Sequence, residues 1–185
     1  MAVSNKKDLL ANRESGGVTI WVTGLAASGK STLADNLYKV LLDKGIRSVV
    51  VDGDDVRKLV NSDLKFSIAD REENTRRAAG IAKIINNSGI IAICSFISPT
   101  DKIRENIKQI IGDEKFILVF MDTPMVICEQ RDKKLLYHRA RLGIIKDFSG
   151  ISSEFEVPSN PDIVLNGLKS VEENISQMLM NLNLQ

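Results

Sequence analysis

The sequence predicts a doubly wound α/β domain built on a mainly parallel, five-stranded sheet. Short runs rich in β-branched residues alternate with segments of helical periodicity, and these runs are apolar throughout instead of alternating with polar residues. Strands separated by helices form parallel βαβ units, and uniformly apolar strands indicate a sheet that is covered on both faces. In such folds, ligands bind beyond the carboxyl ends of the strands.

The predicted elements follow one another along the chain. Apolar runs bounded by turn residues predict five strands, at 18–23, 48–52, 90–96, 116–121 and 162–165. Apolar residues recurring at intervals of three and four predict five helices, at 30–43, 70–88, 101–111, 125–131 and 170–182. Gly45 and Gly89 end the first two helices, and Pro124 begins the fourth.

A length of 185 residues is typical of one domain, and we expect residues 1–185 to form a single unit. Residues 1–16 precede the first strand as an N-terminal extension. Residues 132–161 break the periodic pattern and are crowded with Lys and Arg, so we expect this segment to be a mobile lid over phosphates.

Composition excludes several classes of protein. The 25 Lys and Arg residues are balanced by 24 Asp and Glu residues, which argues against a general nucleic-acid binder. Cys94 and Cys128 lie far apart and His138 is the single histidine, so neither a disulfide framework nor a zinc site is indicated. No apolar run approaches the ~18 residues of a membrane span, and no secretory leader is evident. We therefore expect a cytoplasmic protein without a membrane segment.

Residues 24–31 read GLAASGKS, which fits the phosphate-binding pattern G-x-x-x-x-G-K-[ST] between a strand and a helix. In that context backbone N–H groups curl around an anion, and the helix N-terminus adds partial positive charge. Lys30 is placed to reach the β- and γ-phosphates, and the hydroxyl of Ser31 to bind Mg²⁺. We expect contacts with a nucleoside triphosphate from Gly24, Leu25, Ala26, Ala27, Ser28, Gly29, Lys30, Ser31 and Thr32.

A guanine-specific switch protein is the nearest competitor, since residues 5–8 read NKKD, a string associated with guanine recognition. That string precedes the phosphate loop and follows no predicted strand, whereas the motif belongs after a later strand. We therefore interpret it as a coincidence.

Carboxylates follow the second predicted strand at the edge that faces the phosphates. We expect Asp54 to orient Mg²⁺ or to accept the proton of an attacking hydroxyl, with Asp52 assisting. A solvated Asp-Gly turn is the alternative interpretation. Asp122 also ends an apolar strand and resembles a Walker-B acid, but this role requires its strand to adjoin the first, and we interpret Asp122 as a turn residue.

Arg71, Asn74 and Arg77 are spaced three apart and share roughly one face of a predicted helix. A guanidinium can bind phosphate or sulfate in bidentate fashion, so these side chains can converge on an anion. The alternative is a solvated face stabilised by Glu–Arg pairs.

From about residue 16 to 165 the chain resembles adenylylsulfate kinases. Besides the phosphate loop, the resemblance is carried in order by DGDDVR (52–57), LKFS (64–67), REENTRR (71–77), SFISP (95–99), DTP (122–124), CEQRD (128–132) and IKDFSGI (145–151). It implies a P-loop kinase that uses ATP and Mg²⁺ to phosphorylate the 3′-hydroxyl of adenosine 5′-phosphosulfate (APS). The products are 3′-phosphoadenosine 5′-phosphosulfate and ADP, and the family is commonly homodimeric.

The resemblance also implies residue roles. Asp54 would lie at the attacking hydroxyl, Arg131 against the adenine of ATP, and Phe66 and Phe148 on either side of the acceptor's adenine. Ser98 is a catalytic candidate, since family members are sometimes assigned a phosphoserine there, although in-line transfer needs no covalent relay. The remaining implied contacts involve Arg57, Arg71, Asn74, Ile97, Ser98 and Lys146 with the acceptor, and Lys133 and Lys134 with the transferring phosphates.

Four positions depart from the family pattern. Ala26 and Ala27 replace Ser and Gly in the phosphate loop, Leu135 replaces Gly in the lid, and Ile144 replaces an acid. We expect Ala27 to be tolerated only with a negative φ. These departures leave open a kinase for another nucleotide-linked acid, such as a cytidine-diphosphate-like compound. A nucleotide-binding module without turnover is the third hypothesis, which the intact phosphate loop and strand-end acid disfavour.

Overall fold

The computed structural model describes residues 17–184, which form a parallel sheet of five strands with helices on both faces. In chain order the strands are β1 Thr19–Thr23, β2 Ser48–Asp52, β3 Ile91–Ser95, β4 Phe116–Asp122 and β5 Ile163–Asn166. Their spatial order is β2-β3-β1-β4-β5, and each neighbouring pair is parallel. The predicted doubly wound fold is confirmed.

Seven helices surround the sheet within residues 17–184. They are α1 Lys30–Asp43, α2 Gly53–Leu59, α3 Ile68–Asn87, α4 Asp101–Ile111, α5 Met125–Arg131, α6 Leu136–Arg141 and α7 Val171–Asn181. Side-chain caps define several starts: Ser67 accepts the N–H of Asp70 at α3, and Ser170 forms a reciprocal capping box with Glu173 at α7. None of these helices is long and apolar enough to cross a membrane.

The hydrophobic core lies in two layers, one on each face of the sheet. Successive residues of β1 point to opposite faces, so Ile20 packs with α1 and α7 while Trp21 packs with α3 and α4. Both residues are fully buried. The uniformly apolar strands of the sequence therefore reflect a sheet that is covered on both sides.

Two helices, α2 and α6, were not predicted. Helix α2 begins where a simple acidic turn was expected, and Asp52 caps it by accepting the N–H of Asp54 at 2.8 Å. Helix α6 lies inside the segment 132–161 expected to be irregular, where Asp132 accepts the N–H of Tyr137 at 2.8 Å. Helices this short are stabilised by caps and tertiary packing, so periodicity alone does not reveal them.

The strand order places the candidate site. β1 lies between β3 and β4, and the loops that follow β1, β2, β3 and β4 meet at one edge of the sheet. β4 adjoins β1, which was the condition for a Walker-B-like role of Asp122. The NKKD string at 5–8 and the rest of the predicted extension at 1–16 lie outside the described residues.

Candidate active site

The phosphate loop connects β1 to α1. Gly24 has φ 151°, and a Cβ at this position would lie 2.8 Å from the carbonyl oxygen of Met121, so glycine is required there. Gly29, at φ 104°, caps α1. The hydroxyl of Thr123 donates to the carbonyl of Ser28 at 2.9 Å. The loop and the first turn of α1 contain nine of the ten positions predicted to contact ATP, residues 24–32, while the tenth, Arg131, ends α5.

The expectation for Ala27 was wrong, because its φ is +56°. In the family pattern this position is glycine, the residue that tolerates left-handed backbone without a steric penalty. The same holds at Leu135, where φ is +54° and the family pattern again has glycine. At both positions this chain has a left-handed backbone and carries a side chain, which costs about 1 kcal/mol at each.

Lys30 is buried in the phosphate loop. Its ammonium donates to the carbonyl oxygen of Leu25 at 2.6 Å and lies 3.5 Å from the hydroxyl of Ser28. Burial lowers the pKa of Lys30 to about 8, although the charges of Cys128, Asp52 and Asp54 oppose this shift. Within residues 17–184 the hydrogen-bond partners of this ammonium are neutral oxygens, and a buried cation of this kind is suited to receive an anionic ligand.

The acids after β2 meet the phosphate loop. The hydroxyl of Ser31 donates to Asp52 Oδ2 at 2.7 Å, while Asp52 Oδ1 accepts the N–H of Asp54. These are hard oxygen donors of the kind that Mg²⁺ uses with ATP phosphates, so the residues fit the predicted metal. Asp122 is exposed at the end of β4, and Ser31 contacts Asp52 instead.

Asp54 pairs with a residue of the predicted lid. Lys134 Nζ lies 2.7 Å from Asp54 Oδ2, and both side chains are largely exposed. The hydrogen bond from Lys134 lowers the pKa of Asp54, with burial opposing the shift and the charge of Lys134 adding to it. The carboxylate is therefore ionised and close to three cations, Lys134, Lys58 and Lys30.

A second cationic group surrounds Phe66. The guanidinium carbon of Arg57 lies 4.5 Å from the centre of the Phe66 ring, and that of Arg71 lies 5.6 Å from it. Arg71 donates to the carbonyls of Phe66 (2.9 Å) and Asp147 (2.8 Å), and Arg57 donates to those of Lys65 and Leu64. Burial, with the neighbouring charge of Arg57, lowers the pKa of Arg71 to about 10. Both arginines are held inside the site.

The predicted helix face is only partly correct. Asn74 is buried one turn after Arg71, as the spacing indicated. Arg77 instead pairs with Asp63 at 2.8 Å and with Glu73 at 2.7 Å, so it is engaged in a peripheral ion-pair network. The sequence did not show that Asp63 lies within reach of α3.

Ser98 occupies a buried corner after β3, with φ +43° and 2% exposure. Its hydroxyl accepts a hydrogen bond from Trp21 Nε1 at 2.8 Å, and its carbonyl accepts one from Arg104 at 2.7 Å. These contacts favour a structural role and disfavour Ser98 as a phosphorylated nucleophile. The carbonyl of the preceding residue, Ile97, accepts from the hydroxyl of Thr23.

The predicted lid contacts both parts of the site. Tyr137, on α6, donates its hydroxyl to the carbonyl of Ala26 at 2.9 Å, and its ring meets Phe148 edge-on at 5.0 Å. Phe148 is 6% exposed whereas Phe66 is 49% exposed, and the expected adenine sandwich between them stays a prediction. The sequence analysis did not single out Tyr137. Its position as an aromatic residue within a cationic segment was the signal that could have indicated a contact with the site.

Two predicted binding residues lie at the edge of the site. Arg131, at the end of α5, donates to the carbonyl of Gly167 at 2.9 Å. Lys146 is exposed and immediately precedes Asp147, whose carbonyl accepts the hydrogen bond from Arg71. Their predicted contacts with ATP and with the acceptor stay predictions.

Comparison with known proteins decides the family. The model of the family described as adenylylsulphate kinase matches residues 16–166. The chain belongs to this family. An adenylyl-sulfate kinase of Buchnera aphidicola is 44% identical over 88% of this chain and 79% of its own length. One of Bacteroides thetaiotaomicron is 45% identical over 97% of this chain and 88% of its own length.

A solved member of the adenylylsulphate kinase family has the same architecture. The structure of the Mycobacterium tuberculosis APS kinase CysC in complex with AMPPNP and APS has a TM-score of 0.88 and 40% sequence identity. The match covers 91% of this chain and 98% of that one. The architecture is also found in a gluconokinase from Sinorhizobium meliloti (TM-score 0.59), which at 14% identity shows the fold alone.

Proposed function

We propose that this chain transfers the γ-phosphoryl group of ATP to the 3′-hydroxyl of APS, giving 3′-phosphoadenosine 5′-phosphosulfate and ADP. Its similarity to adenylyl-sulfate kinases over most of the chain supports this function, as does its similarity to a kinase solved with an ATP analogue and APS.

The observation that carries the proposal is the position of Asp54 between two cationic groups. On one side, Asp52 and Ser31 join the acid to the phosphate loop and its buried Lys30. On the other side, Arg57 is three residues further along α2, with its guanidinium against Phe66. An acid between two anion-binding groups matches a reaction in which a hydroxyl of one anion attacks a phosphate of another.

The residues support an in-line transfer. The loop amides and Lys30 would hold the β- and γ-phosphates, while Arg57 and Arg71 would hold the phosphosulfate and orient its ribose. Asp54 would accept the proton of the 3′-hydroxyl as its oxygen bonds to the γ-phosphorus and the bond to the β-phosphate oxygen breaks. Lys134, now paired with Asp54, would balance charge on the transferring group.

Mg²⁺ would be held by Ser31 and Asp52, with Asp54 close by. When bound, it would neutralise charge on the β- and γ-phosphates. Arg131 would lie against the adenine of ATP, and Asn74, Ile97 and Lys146 would contact the acceptor.

The test is ADP release by purified protein with ATP and Mg²⁺, with and without APS. Stimulation by APS supports the proposed reaction, while stimulation by a cytidine-linked acid alone would support a kinase for a different acceptor. Absence of turnover with any acceptor would support a nucleotide-binding module. Adding a chelator should abolish the stimulated release if Mg²⁺ is required.

We further propose that the chain acts as a homodimer, as the resemblance implies, and that it works in the cytoplasm without a membrane or nucleic-acid partner, as its composition indicates. Light scattering of the purified protein measures the oligomeric state directly, and a monomer at assay concentrations would contradict the dimer.

A further inference from the structure

Asn61 lies in the turn between α2 and α3 and is fully buried. Its side-chain nitrogen donates to Asn74 Oδ1 at 3.0 Å and lies 3.4 Å from the backbone carbonyl oxygen of Asn74. Its side-chain oxygen faces a guanidinium nitrogen of Arg77 at 3.4 Å. The Asn61 amide therefore bridges Arg77 to Asn74.

The chemistry of these neighbours fixes the direction of the bridge. A guanidinium can only donate and a backbone carbonyl can only accept. With the Asn61 amide reversed, its NH₂ would face the guanidinium and its oxygen would face the carbonyl oxygen. Arg77 is itself held by Asp63 and Glu73, so its direction is fixed as well.

The orientation of the Asn61 amide also fixes the orientation of the Asn74 amide. Because Asn61 donates, Asn74 must present its own oxygen to Asn61 and direct its NH₂ group elsewhere. Within residues 17–184 the NH₂ of Asn74 has no hydrogen-bond partner, and its nitrogen is not among the fully buried unpartnered atoms, so it reaches the solvent-accessible surface. Asn74 also shares a helix face with Arg71, whose guanidinium lies in the cationic group around Phe66.

We propose that Asn61 is a positioning residue: oriented by Arg77, it holds the Asn74 amide with its two N–H bonds toward the acceptor. Sulfate and phosphate oxygens and adenine ring nitrogens all accept hydrogen bonds, so a donor there binds them and a carbonyl oxygen repels them. The inference rests on the proposed function, since it concerns how the acceptor half of that site is set.

The test is steady-state kinetics of the full chain with Asn61→Asp. An aspartate beside Arg77 is ionised and accepts only, so Asn74 must turn its NH₂ inward and present its oxygen to the acceptor. The KM for APS should rise about tenfold, while the KM for ATP stays unchanged. Asn61→Ala adds no buried charge and leaves the Asn74 amide free to rotate, so it should raise the KM for APS about threefold. This variant tests the inference if the aspartate variant does not fold.

A double-mutant cycle separates positioning from general loss of structure. In an Asn74→Ala background, Asn61→Asp should produce no further rise in the KM for APS, because Asn61 acts through Asn74. The matched control is Asn86→Asp. Asn86 is also buried, but it lies at the opposite end of α3, where it forms hydrogen bonds with Thr19 and Ile90. Its variant should therefore lose stability without any change in the KM for APS.

Two results would overturn the inference: an unchanged KM for APS in both Asn61 variants, or an equal rise with and without the Asn74 side chain. Wild-type protein in the same assay keeps this outcome distinct from failure of the proposed function, which would appear as no APS-stimulated ADP release at all.

Discussion

The proposed donor and acceptor halves of the site present their cationic groups by different means. The donor half, residues 24–31, uses main-chain N–H groups, a helix N-terminus and one buried lysine, all within eight consecutive residues. The acceptor half uses the guanidinium groups of Arg57 and Arg71, held by carbonyls of a connecting loop and of Asp147. A short continuous segment can form the first site, whereas the second requires distant segments to meet.

Lys30→Met should have the largest effect, because the donor half depends on one side-chain charge. Turnover should fall by at least about 10³-fold, as expected when a cation that stabilises the transferring phosphates is lost. ADP release in the presence of APS measures this loss. Wild-type-like turnover in a folded variant would contradict the assignment of the phosphate loop.

The same variant should be more stable than the parent protein when no nucleotide is present. The pKa of Lys30 is lowered to about 8 in the folded chain from 10.5, so below pH 8 folding must bury a proton-bearing ammonium. Between pH 8 and 10.5 the unfolded state binds the extra proton, so the wild-type stability should rise with pH across this window. Lys30→Met should gain about 3 kcal/mol at pH 7, an advantage that shrinks as the pH rises and disappears above about pH 10.5.

Denaturant unfolding at several pH values, without ATP, measures this gain. A constant stability difference between variant and parent from pH 7 to pH 10 would show that the buried charge is not its cause.

Arg71→Lys should affect the acceptor half alone. Lysine retains the charge but lacks the planar guanidinium, which can donate to two carbonyls and to an anion at the same time. The KM for APS should therefore rise about tenfold. The KM for ATP should not change, since within residues 17–184 Arg71 donates its hydrogen bonds to Phe66 and Asp147, outside the phosphate loop. Arg76→Lys, on the exposed side of α3, is the matched control and should leave both constants unchanged. A parallel rise in both constants would show that the two halves are not separable.

Ala27→Gly should have the smallest effect, a gain in stability of about 0.5–1 kcal/mol. Glycine removes the steric cost of φ +56°, and its greater freedom in the unfolded chain offsets part of the gain. Thermal unfolding measures the difference. Ala69→Gly is the matched control because Ala69 lies in an exposed turn of α3, where glycine should destabilise by a similar amount. A loss of stability in Ala27→Gly would show that the left-handed backbone there is not strained.

Prediction from sequence succeeded where the signal was local. The strands are apolar runs, and the phosphate loop is a contiguous motif whose strand and helix lie within reach of it. It failed for α2 and α6, which are too short for periodicity, and for Arg77, whose partner Asp63 approaches only through the α2–α3 turn. The prediction of a negative φ for Ala27 was wrong because the geometry of the surrounding loop outweighs the backbone preference of alanine.

The parallel sheet, the phosphate loop and the family follow from the sequence, because each depends on residues that are contiguous or in a fixed order along the chain. Which polar side chains meet depends on the tertiary structure. It buried Ser98 beneath Trp21, paired Lys134 with Asp54, and set Asn61 between Arg77 and Asn74. Hydrogen bonds between distant segments depend on where the whole core places each backbone, and residue types alone do not specify those positions.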